Sequence, residues 1–323
     1  MLVVSLLYGI FSLVLYVVIL VQLVRPKYEK RFNNPFFKLC FLLGVVDCVG
    51  YIIFYVFFTL ATYSIFAPFY SSSFFTPGAF TSGIYFSTYF FGYLQLFGNC
   101  FLTFNRFTSI VFPLKHNRIW KLFFPISIIA TVISSVAPCW QLLSASAYYN
   151  RLFNTPDSGY GMNYDHSKYP SHSNSFNMFL SNFVACCFCL VLNVTSSVFL
   201  VIHTSRTVGA ASKNRRAELN LFFMALLIFV FQAIYGVHQV VIFVATKAKN
   251  DWVVVVLYTL VPWISDLKFL SPPWILVIVS TSVREAVIQA LPTRVIRYHK
   301  QWSSVGSSVT VTTVTVKQRS TRL

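Results

Sequence analysis

The chain has 323 residues, of which 56% are hydrophobic and only 10% charged. Soluble domains carry about 25% charged residues, so a water-soluble fold of this length would lack the charges to cover its outside. The formal net charge of +17 does not point to a nucleic acid, because the basic residues punctuate apolar runs, as they do in the cytoplasmic loops of membrane proteins.

A bilayer core about 30 Å thick needs about 20 apolar residues of helix. In chain order, seven runs meet that length, near 2–24, 36–60, 81–105, 122–143, 176–202, 220–245 and 252–280. Each is expected to be helical, because lipid offers no partner to a free N–H or C=O. The first run has no basic segment before it and no A-x-A end. It is followed at once by "RPKYEKR", so it is expected to be an uncleaved first span. The outer loop from Ser144 to Ser175 is rich in Tyr, Asn, Asp, His, Ser and Gly and predicts a solvated cap. Pro272-Pro273 is expected to break the seventh span. After it, the segment 281–300 opens with "TSVREAVIQALP". That predicts a short interfacial helix, with Val283, Val287 and Leu291 in an apolar stripe and Arg284 at the headgroups. Residues 301–323 form a Ser/Thr-rich tail whose composition suits disorder or phosphorylation.

Orientation follows from the basic residues. With the N-terminus outside, twenty Lys and Arg lie in the inner loops and tail and four in the outer loops. The bias predicts seven helices, an outer N-terminus and a cytoplasmic C-terminus. The fold class is an all-α membrane protein built as a seven-transmembrane helix bundle.

Charges inside the spans are costly and need partners. Three occur: Asp47, Asp266 and Lys268. Asp47 lies 11 residues above Phe36 and Lys268 lies 12 residues above the opposite span's inner end at Ser280. At about 1.5 Å per residue their depths agree within roughly 2 Å, which predicts an Asp47–Lys268 ion pair. Asn99 lies lower and can join the network. Asp266 and Lys268 are two residues apart, do not share a helix face, and so Asp266 needs another partner. The network serves either structure or signalling.

The third span ends in "FLTFNRFTSIVFPLKH". Its "NRFTSIVFPLKH" resembles the Asp/Glu-Arg-Tyr box and following Pro-Leu of rhodopsin-like receptors, which implies a G-protein-coupled receptor fold. Further motifs are "LYGIFSLVLY", "NPFFKLCFLLGVVDCVGY", "GYLQLFGNCFLTFNRFTSIVFPLKHNRIW" and "ISDLKFLSPPWILVIVSTSVR". With these the chain is similar to nematode serpentine chemoreceptors of the class gamma superfamily, in particular class V (Srv-like). The likeness covers about residues 7 to 285. It implies a multi-pass plasma-membrane receptor of sensory neurons and their cilia, one that detects an environmental small molecule and signals to a heterotrimeric G-protein. It also puts Asn105, Arg106 and Pro113 at the signalling switch. Asn105 stands where an acid is usual, which predicts a looser resting lock on Arg106. An isolated Arg at an inner helix end is otherwise a topology anchor that reaches water by snorkelling, and both readings stand. The sixth span lacks Cys-Trp-x-Pro, and no Cys pair joins the third span to the outer loop.

A ligand pocket is expected between the outer helix halves. Candidate lining residues are Tyr85, Tyr89, Tyr93, Gln95, Asn182, Tyr235, His238, Gln239, Tyr258 and Trp263, since Tyr and Trp offer apolar area with one polar tip. His238 is equally explained as a packing residue. No outer acid in the third span is placed to hold an amine, which favours a neutral or weakly polar ligand. No catalytic set, phosphate loop or metal-ligand spacing occurs, so neither an enzyme nor a cofactor or metal is expected. The cysteines of Cys186-Cys187-x-Cys189 suit packing. A ligand-gated channel or transporter is the other class in view, but no internal repeat or pore-lining polar stripe is visible.

Overall fold

The computed structural model describes residues 2–152, 158–165, 167–169, 173–206 and 212–290. The tail over 301–323, Leu291 and Pro292 lie outside the described residues. Seven long helices follow one another: α1 Leu2–Val24, α2 Pro35–Phe54, α3 Ala79–Val111, α4 His116–Val136, α5 Asn174–Arg206, α6 Ser212–Lys247 and α7 Asp251–Val279. A short α8, Thr281–Ala290, ends the described chain.

Six of the seven are long and apolar enough to cross a membrane. The exception is α3. It packs against α2, α4, α5 and α6, and its buried residues include Thr81, Ser82, Gln95, Asn99, Thr103, Asn105, Arg106 and Thr108. A helix ringed by others need not be compatible with lipid, so it can carry the polar residues that a peripheral helix cannot. By contrast α4 buries few residues and presents most of its apolar surface outward.

Local sequence explains several boundaries. Asn34 caps α2, its Oδ1 accepting from Phe36 N at 3.0 Å, and Pro35 occupies the first helical position, where no N–H is needed. Beyond Phe54 the chain continues through a π turn at Tyr55–Thr59 and a 3-10 turn at Leu60–Thr62. The expected break at Pro272-Pro273 does not occur: α7 is helical through Pro262, Pro272 and Pro273 to Val279. A proline's fixed φ is itself helical, and this helix ends only where Ser280 turns extended. Also, α4 begins at His116, ahead of the apolar run, because Arg118 and Lys121 lie in its first turns rather than in the loop.

The outer loop is more than a solvated cap. Strands β1 Ala147–Arg151 and β2 Tyr160–Tyr164 pair antiparallel, with Ala147 opposite Tyr164 and Arg151 opposite Tyr160. Ala147, Met162 and Tyr164 face inward and join the core under the hairpin. Alternation along a strand sends their neighbours to the surface. Ser82 of α3 fastens the hairpin: its Oγ donates to Ala145 O at 2.6 Å and accepts from Ala147 N at 3.1 Å. Tyr149 Oη donates to Phe57 O at 2.9 Å. Burial, with Tyr70 beside it, pushes the Tyr149 hydroxyl up from its ordinary value, so it stays a neutral donor. A Cβ at Gly159 would collide with the backbone of Ala61 and Thr62, so the hairpin lies directly on the end of the second span.

At the other end, the basic loops surround a core of Phe36, Leu102, Trp120, Leu276 and Val283. The apolar stripe of α8 turns into this core: Val283, Ala286 and Val287 are buried. Arg284 donates to Ile278 O at 3.0 Å, at the end of α7. Tyr28 Oη donates to Gln289 Oε1 at 2.7 Å, and Arg31 pairs with Glu285 at 2.8 Å. So α8 is tied to the first loop as well as to α7.

Candidate functional site

At the basic end, α3 continues past Arg106 to Val111. Arg106 is therefore inside the bundle, 1% exposed, and does not snorkel to water. Its Nη2 donates to Asn105 Oδ1 at 2.7 Å. Its guanidinium carbon lies over the ring of Phe36 of α2, 3.9 Å from the ring centre, where the ring's negative face meets the cation. One turn on, Thr108 Oγ1 accepts from Trp120 Nε1 at 2.8 Å and shares a hydrogen bond of 3.1 Å with His116 Nδ1. Thus α4 is clamped to the same turn of α3. Pro113 lies in the exposed turn that follows. Asn105 and Arg106 are brought together, and Pro113 stands apart from them.

In the middle of the bundle the expected Asp47–Lys268 ion pair does not form. Asp47, 2% exposed, accepts from Tyr16 Oη of α1 at 2.6 Å. Its Oδ1 makes no hydrogen bond within the protein. It borders a cavity of about 20 Å³ shared with Tyr16 and Asn99, room for about one water. Lys268 turns the other way. Its Nζ donates to Gly92 O of α3 at 3.3 Å and lies 4.2 Å from the ring centre of Tyr235 on α6. The counting of residues put the two charges on one level, but the lysine is directed toward α3 and α6. Gln95 stands between the two, donating to Lys268 O at 3.0 Å. Asp266 does find a different partner, accepting from Ser5 Oγ of α1 at 3.2 Å.

At the aromatic end, some of the residues expected to line a pocket come together. Tyr85 and Tyr89 share a hydrogen bond of 3.4 Å, and Tyr85 packs against Tyr164 of the hairpin with ring centres 5.6 Å apart. Tyr258 and Tyr235 lie within electrostatic reach of this pair. The ammonium of Lys268 forms the inner limit of the group, under Tyr235. Other candidates are committed elsewhere. Asn182 accepts from Gln232 Nε2 at 2.8 Å, joining α5 to α6. His238 Nε2 bonds Leu257 O at 3.1 Å, joining α6 to α7. Tyr93 is fully buried in the core, and Gln239 is half-buried. Trp263, 39% exposed, stands on the outer surface of α7.

Participants that went unnoticed in the sequence include Tyr16, Ser5, Phe36, Ser82, Thr108 and Trp120. A signal for the first two exists. Ser5, Gly9, Ser12, Tyr16, Ile19 and Leu23 recur at steps of three and four and are all buried, which makes them the inward stripe of α1. Nothing local marks Phe36 as the seat of a guanidinium among 35 phenylalanines. All seven cysteines are free thiols, and no cluster of metal-ligating side chains occurs among the described residues.

The chain matches the model of the Srg family of chemoreceptors over residues 2–287. Among curated proteins it is similar to serpentine receptor class gamma-10 of Caenorhabditis elegans, 25% identical over 220 residues, 68% of this chain and 64% of that receptor. It is similar also to class gamma-20 of the same organism, 22% identical over 65% of this chain and 61% of that one. A third relative, class V-1, is 33% identical over 33% of this chain and 32% of its own length. The matched region spans less than two thirds of the length of these relatives.

Proposed function

The chain belongs to the Srg family of chemoreceptors, and from that premise we propose that it is a plasma-membrane receptor for an environmental small molecule. The ligand binds at the aromatic end, between the outer helix halves, and the receptor signals to a heterotrimeric G-protein at the basic end. The observation that carries this reading is the polar interior of α3. One helix holds Tyr85 and Tyr89 in the aromatic group, Gln95 and Asn99 in the middle, and Asn105 and Arg106 at the basic end. A shift of α3 at one end therefore reaches the other through a continuous packed element. In this reading Asn105 and Arg106 are the switch, and the turn at Pro113 carries the change to the partner. A sensory neuron or its cilium is the natural place for such a receptor.

The test is expression in a cell line, with a panel of volatile and soluble chemicals and two readouts. We expect a ligand-evoked change in cyclic nucleotide or calcium that disappears when G-proteins are removed. A ligand-evoked current that persists in cells without G-proteins would overturn the reading in favour of a channel.

A further inference from the structure

We propose that the Lys268 ammonium, at the inner limit of the Tyr85–Tyr89–Tyr235 group, is the anchor for a carboxylate on the ligand. The inference rests on the receptor reading above and adds the ligand's chemical class. Lys268 is 5% exposed, yet its neighbours supply little for a cation. An ammonium has three N–H donors. One of them meets Gly92 O at 3.3 Å. The other neighbours are the faces of Tyr235 at 4.2 Å and Phe269 at 5.4 Å. Asp47 lies within electrostatic reach of Lys268, but no contact ion pair joins Lys268 to Asp47 or Asp266, whose hydrogen bonds go to Tyr16 and Ser5.

A charge buried inside a membrane bundle normally pairs with its opposite. The second buried cation, Arg106, has a hydrogen-bonding side chain beside it in Asn105. Lys268 has none. It faces instead the side of the bundle where Tyr89 and Tyr235 are only half-buried and Tyr258 is 54% exposed. A ligand entering there meets phenol hydroxyls first and the ammonium last. A carboxylate would give the ammonium a charge-assisted hydrogen bond, with the phenols as donors to its second oxygen. A primary amine would be repelled, and an alcohol would leave the ammonium with no carboxylate in hydrogen-bonding contact.

The experiment uses the full-length receptor purified in nanodiscs and reads ligand binding by thermal shift. The probes are octanoate, phenylacetate and indole-3-acetate, each matched with its alcohol and its amine. We expect at least one carboxylate to stabilise the wild type at a concentration at least tenfold lower than its alcohol or amine. Lys268→Gln removes that preference, Lys268→Arg keeps part of it, and Asp47→Asn leaves it intact. An alcohol or amine that stabilises the wild type as well as its carboxylate overturns the anchor while leaving the receptor reading standing. So does a Lys268→Gln receptor that keeps the preference, or an Asp47→Asn receptor that loses it. If no carboxylate stabilises the wild type, the anchor is overturned without recourse to any variant. The receptor reading has its own failure in the cell assay, where no chemical evokes a G-protein-dependent response.

Discussion

The two ends of the bundle hold their buried polar groups differently. At the basic end, Arg106, Asn105, Thr108, His116 and Trp120 bond to one another within one corner of α3 and α4, and Phe36 covers the guanidinium. At the aromatic end, Tyr85 and Tyr89 share one long hydrogen bond, Tyr93 Oη makes none within the protein, and Lys268 makes one. The first arrangement links its side chains into one corner, although Asn105 Nδ2 and His116 Nε2 make no hydrogen bond within the protein. The second is looser, held by one long phenol pair and one contact of the ammonium. Buried polar groups without partners are costly and both ends retain them, so the ends differ in how tightly their side chains are linked to one another.

That contrast can be broken by mutation, beginning at the basic end. Arg106→Ala, at normal surface expression, should lower the ligand-evoked G-protein response by roughly tenfold or more, inside the range of site-to-site couplings. Arg106→Lys should not rescue it, because an ammonium lacks the guanidinium's planar fork for Asn105 and its affinity for an aromatic face. A normal dose–response curve for Arg106→Ala would reduce the residue to a packing element. In the middle, Tyr16→Phe removes a hydrogen bond to a buried carboxyl group and should destabilise the receptor by about 1.5–3 kcal/mol. Thermal unfolding of Tyr16→Phe, Asp47→Asn and the double variant checks this. The second substitution should cost little once the first is present, and full additivity would mean the pair is not coupled.

At the aromatic end, Gly159→Ala drives a Cβ into the backbone of Ala61 and Thr62. Overpacking of this kind costs about 1–3 kcal/mol, and here it should lift the hairpin. The expected outcome is weaker ligand binding with an unchanged maximal response, measured as a right-shifted dose–response curve. A reduced maximum at unchanged potency would show that the hairpin acts on the switch instead. The smallest effect is expected at Arg31→Gln. The Arg31–Glu285 pair is largely exposed, so its loss should change stability by about 1 kcal/mol or less, and added salt should erase the difference from wild type.

Much of the architecture was legible in the chain. The six apolar helices are runs of lipid-compatible residues of bilayer length, and that property is local. The Asn-Pro start of α2 is local too. The family likeness rested on motifs in order, and the Srg match over residues 2–287 agrees with it. The site was legible in part. Asn105 with Arg106, and Tyr85 with Tyr89, are neighbours along one helix, so their proximity follows from helical spacing. The prolines of α7 misled, because a proline's cost to a helix depends on what the surrounding helices absorb. The hairpin was hidden because its strands are short and lie in a loop of mixed polarity.

Sequence by itself therefore determined the class of molecule and its runs of membrane-crossing length, since length and composition act along a single axis. The tertiary structure decided which residues meet. Asp47 faces Tyr16, Lys268 faces Tyr235, and Arg106 lies over Phe36. Depth is set by each helix's own hydrophobic length. Rotation about the axis is set by how ridges and small residues of neighbouring helices fit together, and no single helix carries that information.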